Sequence, residues 1–154
     1  MARGRPAKAV LEVSDTVIRR VKKIIKKYPA DKKYCEWIPQ QRKNLFYLMD
    51  VCADSYEETG TISYNRKAVE RIHPEDQQII RTYEKRMRDM WLLEHGIASI
   101  PDNRIRAIAE DTLIDGRRTE DMMQEYGISR RTAFIERNRA ISHIADFIEK
   151  MGRE

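Results

Sequence analysis

The chain predicts an all-α protein, and three observations carry that expectation. Apolar side chains recur at three- and four-residue spacing, as in Val17, Ile18, Val21, Ile24, Ile25 and Tyr28, and again in Ala140, Ile141, Ile144, Ala145 and Ile148. Glycine and proline are scarce, six and five in 154 residues, while Ile, Lys, Arg and Glu are abundant. Ser, Thr, Asp and Asn stand just ahead of several periodic stretches, where their side chains can cap the free amides of a helix N-terminus. With 41% apolar residues the chain can bury a core, and its length suits one domain or two small ones. The organisation expected is a basic arm at 1–13, a helical region at 14–98, and a C-terminal domain at 99–150.

The arm contains Arg3-Gly4-Arg5-Pro6, the core pattern of an AT-hook. Arg3 and Arg5 then have two readings. They follow a narrow minor groove, where a glycine lets the backbone lie close and the potential is most negative, or they belong to a flexible tail that adds phosphate attraction alone. Ser14, Asp15 and Thr16 start a helix, and Pro29 is expected to end it. Its outer face carries Arg19, Arg20, Lys22, Lys23, Lys26 and Lys27. Three roles are open to such a face: solvation, phosphate contact, or a membrane surface. The absence of Trp and Phe on its aliphatic side argues against the last.

Residues 34–39 (YCEWIP) read as a connector with Trp37 as a core or interface anchor. Residues 40–53 read as a helix with Leu45, Phe46, Met49, Val51 and Cys52 inward, and 54–61 as a loop ending in Gly60. A short helix follows at 65–72, closed by His73-Pro74. Pro74, with Glu75 and Asp76, opens a long helix expected to run to His95 and stop at Gly96. Such a rod either packs as a plain core helix or bridges to a second domain or a partner copy. Residues 97–101 are the expected linker and boundary. Asp102 or Asn103 then caps a helix holding Ile105, Ile108, Ala109, Thr112 and Leu113, ended by Asp115-Gly116.

The last stretch, from Arg118 to Ile148, reads as helix, tight turn, helix. Thr119 is placed to cap the first helix, with Glu120 and Asp121 in its first turn and Met122, Met123 and Tyr126 as its apolar positions. Gly127 permits the positive φ that ends a helix, Ile128 plugs the turn, and Ser129 caps the second helix. That helix opens with Arg130, Arg131 and Thr132 and continues through Phe134, Arg137 and Asn138. Arg donates bidentately to guanine, Asn pairs with adenine, and Ser or Thr reaches bases or phosphates. The pattern is that of a helix-turn-helix entering a DNA major groove, although an ordinary αα-hairpin with solvated arginines has the same outline. Arg118, at the head of the stretch, joins the candidate DNA contacts.

Residues 127–144, GISRRTAFIERNRAISHI, resemble region four of bacterial sigma factors, where a Gly-aliphatic-Ser turn leads into a recognition helix and an Ala-aliphatic pair, here Ala140 and Ile141. With the preceding RIRAIAEDTLIDGRRTEDMMQEYG, the last third of the chain is similar to phage late-transcription regulators of the RinA and ArpU type. Two positions depart from the pattern: Glu136 stands where an aliphatic residue is usual, and Met123 where a small one is. The resemblance implies a sequence-specific DNA-binding transcription regulator encoded by a phage or prophage. Ser129, Arg130, Arg131, Thr132, Phe134, Arg137 and Asn138 would lie at double-stranded DNA. The N-terminal helices would set the spacing of a homo-oligomer or touch RNA polymerase. A second reading is a phage DNA-packaging adaptor, the small terminase subunit, which joins the same motif to helical oligomerisation segments. Those proteins place the motif near the N-terminus, whereas here it is C-terminal.

Charge agrees with a polyanionic partner. The net charge is +5, but residues 1–33 carry about +8 and the remainder about −3. Two cysteines, Cys35 and Cys52, form no CxxC, so reduced thiols are expected. The basic N-terminus has no apolar signal region after it, and no apolar run approaches membrane length. A cytoplasmic protein of a bacterial host, not bound to a membrane, is the expectation. Catalytic chemistry is not foreseen. His73, His95 and His143 are scattered without metal-ligand spacing, and neither GxxxxGK nor GxGxxG is present. Ser14 near Arg19 and Arg20 is explained by capping, and the pairs Glu75-Asp76 and Glu120-Asp121 by the helix dipole. No cofactor, metal or catalytic residue is expected.

Overall fold

The computed structural model describes residues 13–152, and among these every regular element is helical. The arm with Arg3 and Arg5 lies outside the described residues. In chain order the helices are α1 (Asp15–Gln41), α2 (Lys43–Leu48), α3 (Tyr56–Thr59), α4 (Arg66–Glu70), α5 (Pro74–Ala98), α6 (Asn103–Ala109), α7 (Thr119–Tyr126) and α8 (Arg130–Gly152). A π-helical turn, Glu110–Ile114, continues α6. No described helix is long and apolar enough to cross a membrane.

The chain divides into two compact units: one holds the residues up to Lys26 and from Leu92 onward, the other is Lys27–Trp91. The expected linker at 97–101 is therefore not where the units part. Ile97 and Ile100 are each only 1% exposed. Helices α1 and α5 contribute a segment to each unit.

Ser14 caps α1, accepting from the Val17 amide at 3.2 Å. Contrary to expectation, Pro29 does not end this helix, which continues past Pro29 and Pro39 to Gln41. Val21, Ile24, Tyr28, Asp31, Cys35 and Ile38 are all buried, so the inward stripe crosses Pro29 without a break in phase. An interior proline costs about 3 kcal/mol. Each large apolar side chain buried contributes about 1.5–3 kcal/mol, so the stripe outweighs the proline. The connector expected at 34–39 is thus part of α1, and Trp37 is 54% exposed rather than a core anchor.

Within the Lys27–Trp91 unit, the helix expected over 40–53 is shorter. Arg42, at φ −123°, separates α1 from α2, and Asp50 takes a left-handed φ of 56°. Phe46 and Met49 are buried, and Phe46 meets Tyr83 edge-on at 5.0 Å. Cys52 and Ser63 exchange backbone hydrogen bonds of 2.8 and 2.9 Å in an isolated antiparallel bridge. The expected loop at 54–61 contains the single turn α3, which is tied to α5 by Tyr56 Oη donating to the Met87 carbonyl at 2.9 Å. Trp91 Nε1 likewise donates to the Glu57 carbonyl at 3.0 Å. Asn65 caps α4 through the Ala68 amide. Cys35 is buried, and burial pushes its thiol up to about 12, which keeps it protonated and unreactive.

In the other unit, α6 and α7 both pack on α8. Gly96, expected to end the long helix, lies inside α5. A Cβ there would meet Ile144 Cγ2 at 2.9 Å, so the missing side chain is what lets α8 approach α5. Asp102 caps α6, accepting from the Ile105 amide at 2.9 Å, and that bond holds its carboxyl below the usual range. The last turn widens into the π segment. Thr112 Oγ1 donates to the Ile108 carbonyl at 2.8 Å, and the Asp115 amide reaches back five residues to Glu110 at 3.1 Å.

Candidate nucleic-acid interface

Helices α7 and α8 are joined by three residues, Gly127, Ile128 and Ser129. Thr119 is the first residue of α7 rather than its cap. Arg118 holds the cap position, without a side-chain bond to the helix. Gly127 takes φ 62°, ψ 39° and returns its amide to the Met123 carbonyl, where a residue with a Cβ would be strained. Ile128 and Met123 are half-buried and Met122 is 1% exposed. Ser129 caps α8, its Oγ accepting from the Thr132 amide at 3.1 Å and lying 3.1 Å from Thr132 Oγ1. Ser129 Oγ is thereby occupied in starting the helix, while Thr132 Oγ1 accepts from it and keeps its own proton to donate.

The two halves of α8 bury different faces. At about 100° per residue, Arg130, Phe134, Arg137, Ile141, Ala145 and Ile148 form one stripe. In the C-terminal half that stripe is core: Ile141, Ala145 and Ile148 are buried with Ile144. In the N-terminal half the same stripe is exposed, and burial moves to Ala133, Glu136 and Ala140. Arg130, Arg131, Phe134, Arg137 and Asn138 consequently share an exposed surface, with Ser129 at its start and Thr132 half-buried beside it.

Glu136 supplies the physical reason for this division. It is only 5% exposed, and Arg104 of α6 holds it with two nitrogens, Nε to Oε1 at 3.1 Å and Nη2 to Oε2. Its odd place in the sequence pattern is thus an anchor between α6 and α8. Nothing in the sequence around Arg104 marks it as a site residue; only the polar residue at an inward position of α8 points to it.

Electrostatically, the exposed face is cationic with little shielding. Arg130 pairs with Glu120 at 3.2 Å, and Arg118 lies 3.9 Å from the same carboxylate. A backbone amide in the first turn of α7, and then Arg130, hold the Glu120 carboxyl below the usual range. Arg131 and Arg137 make no ion pair with a described residue. In the same unit, Arg19, Arg20, Lys22, Lys23 and Lys26 of α1 are exposed and equally without described acidic partners. Arg117 is the contrast: Asp111 and Glu125 hold it at 3.3 and 2.9 Å. Among the described residues, no group of three or more His, Cys, Asp or Glu could hold a metal ion. No family model, no curated protein and no solved structure matches this chain.

Proposed function

We propose that this protein is a sequence-specific DNA-binding transcription regulator of phage or prophage origin, with α7, the Gly127–Ser129 turn and α8 acting as a helix-turn-helix. The observation that carries the reading is the exposed N-terminal half of α8. It presents three arginines, an asparagine and an aromatic ring from a helix whose other face is anchored by Ala133, Glu136 and Ala140. These side chains match the donor and acceptor pattern of base edges in a major groove, which is wide enough to admit a helix. The likeness of residues 127–144 to region four of sigma factors supports the same assignment. The basic face of α1 suits phosphate contact, which positions a protein on the duplex without reading sequence. Arg118, beside the turn, is suited to the same task.

The test is selection of bound duplexes from random DNA, followed by a salt titration of the selected and a scrambled site. A regulator prefers its site by a factor of about 10³ or more. Arg130→Ala and Arg131→Ala each weaken the selected site by about 1–3 kcal/mol while leaving the scrambled site much less affected. Selection that returns no enriched sequence, or a site indifferent to both changes, would refute the proposal.

A further inference from the structure

Phe134 is a phenyl ring with 64% of its surface in water, in the middle of the α8 face. Its helical neighbours at i−4, i−3, i+3 and i+4 are Arg130, Arg131, Arg137 and Asn138, all exposed. An apolar disc is thus ringed by three guanidinium groups and one amide. An apolar partner surface fits this badly, because covering the ring would strip water from Arg131 and Arg137, which pair with no described acid, and offer them no acceptor. A surface with acceptors and anions around an apolar group fits it well. The floor of a major groove is such a surface: guanine O6 and N7 and the flanking phosphates accept from arginine, and the thymine 5-methyl is the methyl group that base pairs present there.

We propose that Phe134 packs on the 5-methyl group of a thymine and so selects T·A at one position of the bound site. The inference rests on the proposed function and deepens it by naming the base that this residue reads. The guanidiniums and Asn138 set the register, while the ring supplies discrimination by apolar contact alone. No proton or bond is exchanged.

The experiment uses the full chain and its selected duplex, with each thymine replaced in turn by deoxyuridine. That change removes one methyl and keeps the base pair. At one position, or two adjacent ones, the wild-type protein loses about fourfold in affinity, the worth of one methyl-sized group removed from water. Phe134→Ala binds the thymine and deoxyuridine duplexes equally, whereas Phe134→Leu keeps part of the preference. The ring is exposed, so Phe134→Ala leaves the thermal unfolding curve unchanged. A selected site insensitive to every deoxyuridine, or a sensitivity that survives in Phe134→Ala, overturns this inference and leaves the DNA-binding reading standing. Failure to select any site overturns both. If Phe134→Ala instead changes the mass of the protein in solution and leaves thymine preference untouched, the ring is a self-association surface and the inference is wrong.

Discussion

Glu136 decides which side of α8 is free. Its carboxylate is buried on the face shared with Ala133 and Ala140, and its partner Arg104 remains 48% exposed along its side chain. That asymmetry sets the expected effect of mutation. Glu136→Ala removes two charged hydrogen bonds and leaves a void, and lowers stability by about 1–2 kcal/mol. Glu136→Leu fills the space with apolar atoms and lets Arg104 turn to water, so it holds stability or raises it. Thermal unfolding of the pair checks this, and a leucine variant weaker than the alanine variant would refute it. Asp31, in the other unit, is a buried carboxylate of different character. It is 1% exposed, and its Oδ1 lies 3.3 Å from Arg86 Nη1 without accepting a hydrogen bond. Burial pushes its carboxyl above the ordinary value, against the pull of Lys27 and Arg86. The folded state therefore binds this proton more tightly than the unfolded chain. The cost of the charge is absent below the unfolded pKa near 3.8, grows as pH rises, and is complete above the folded pKa. Asp31→Asn should accordingly gain stability over wild type as pH climbs from about 4 towards neutrality. A difference between the two proteins that stays flat or shrinks over that range would contradict this assignment.

The elements divide into those readable from neighbours in sequence and those settled by burial. Ser14, Asp102 and Ser129 cap helices where their positions predict, because capping needs only the next three residues, whereas Thr119 falls one residue inside its helix. The course of α1 beyond Pro29 is not legible in the sequence. The signal against continuation, a proline, is local, whereas the buried stripe that overrides it includes Asp31 and depends on the packed unit. Gly96 misleads in the same way, since its close neighbour Ile144 lies far along the chain. In the candidate interface, the exposed residues of α8 can be named from the turn and the spacing, but not Arg104, which meets Glu136 across 32 residues. The basic face of α1 is legible as a pattern and leads to a test at this scale. Lys22, Lys23 and Lys26 are exposed and make no ion pair with a described acid, so neutralising them leaves the fold intact. If the face meets phosphates, changing all three to Gln weakens selected and scrambled sites alike. Each lysine–phosphate pairing removed flattens the slope of log affinity against log salt by about 0.9. An unchanged slope would make the face a solvated one.

At the scale of the whole chain, the uneven charge makes a last test possible. Residues 1–33 hold about +8 and the remainder about −3, so much of the chain's positive charge lies outside the proposed reading helix. Affinity and specificity should then separate on mutation. Changes at Arg130 and Arg131 reduce the preference for one site over another, while changes in the N-terminal charges reduce binding to every duplex. Arg3 and Arg5 are the sharpest probe, because both roles open to them involve the same groups and differ only in what they distinguish. As phosphate contacts, Arg3→Ala and Arg5→Ala together flatten the salt slope by roughly 1.8 and leave the ranking of selected sites unchanged. As occupants of a narrow minor groove they would favour A·T-rich flanks, whose potential is most negative, and the double variant would lose that preference. With a match only four residues long, uniform loss is the expected outcome. Binding titrations on one selected core, flanked in turn by A·T-rich and G·C-rich sequence, measure the difference directly. A loss confined to the A·T-rich flank would show that the arm reads shape and that recognition is divided between both grooves.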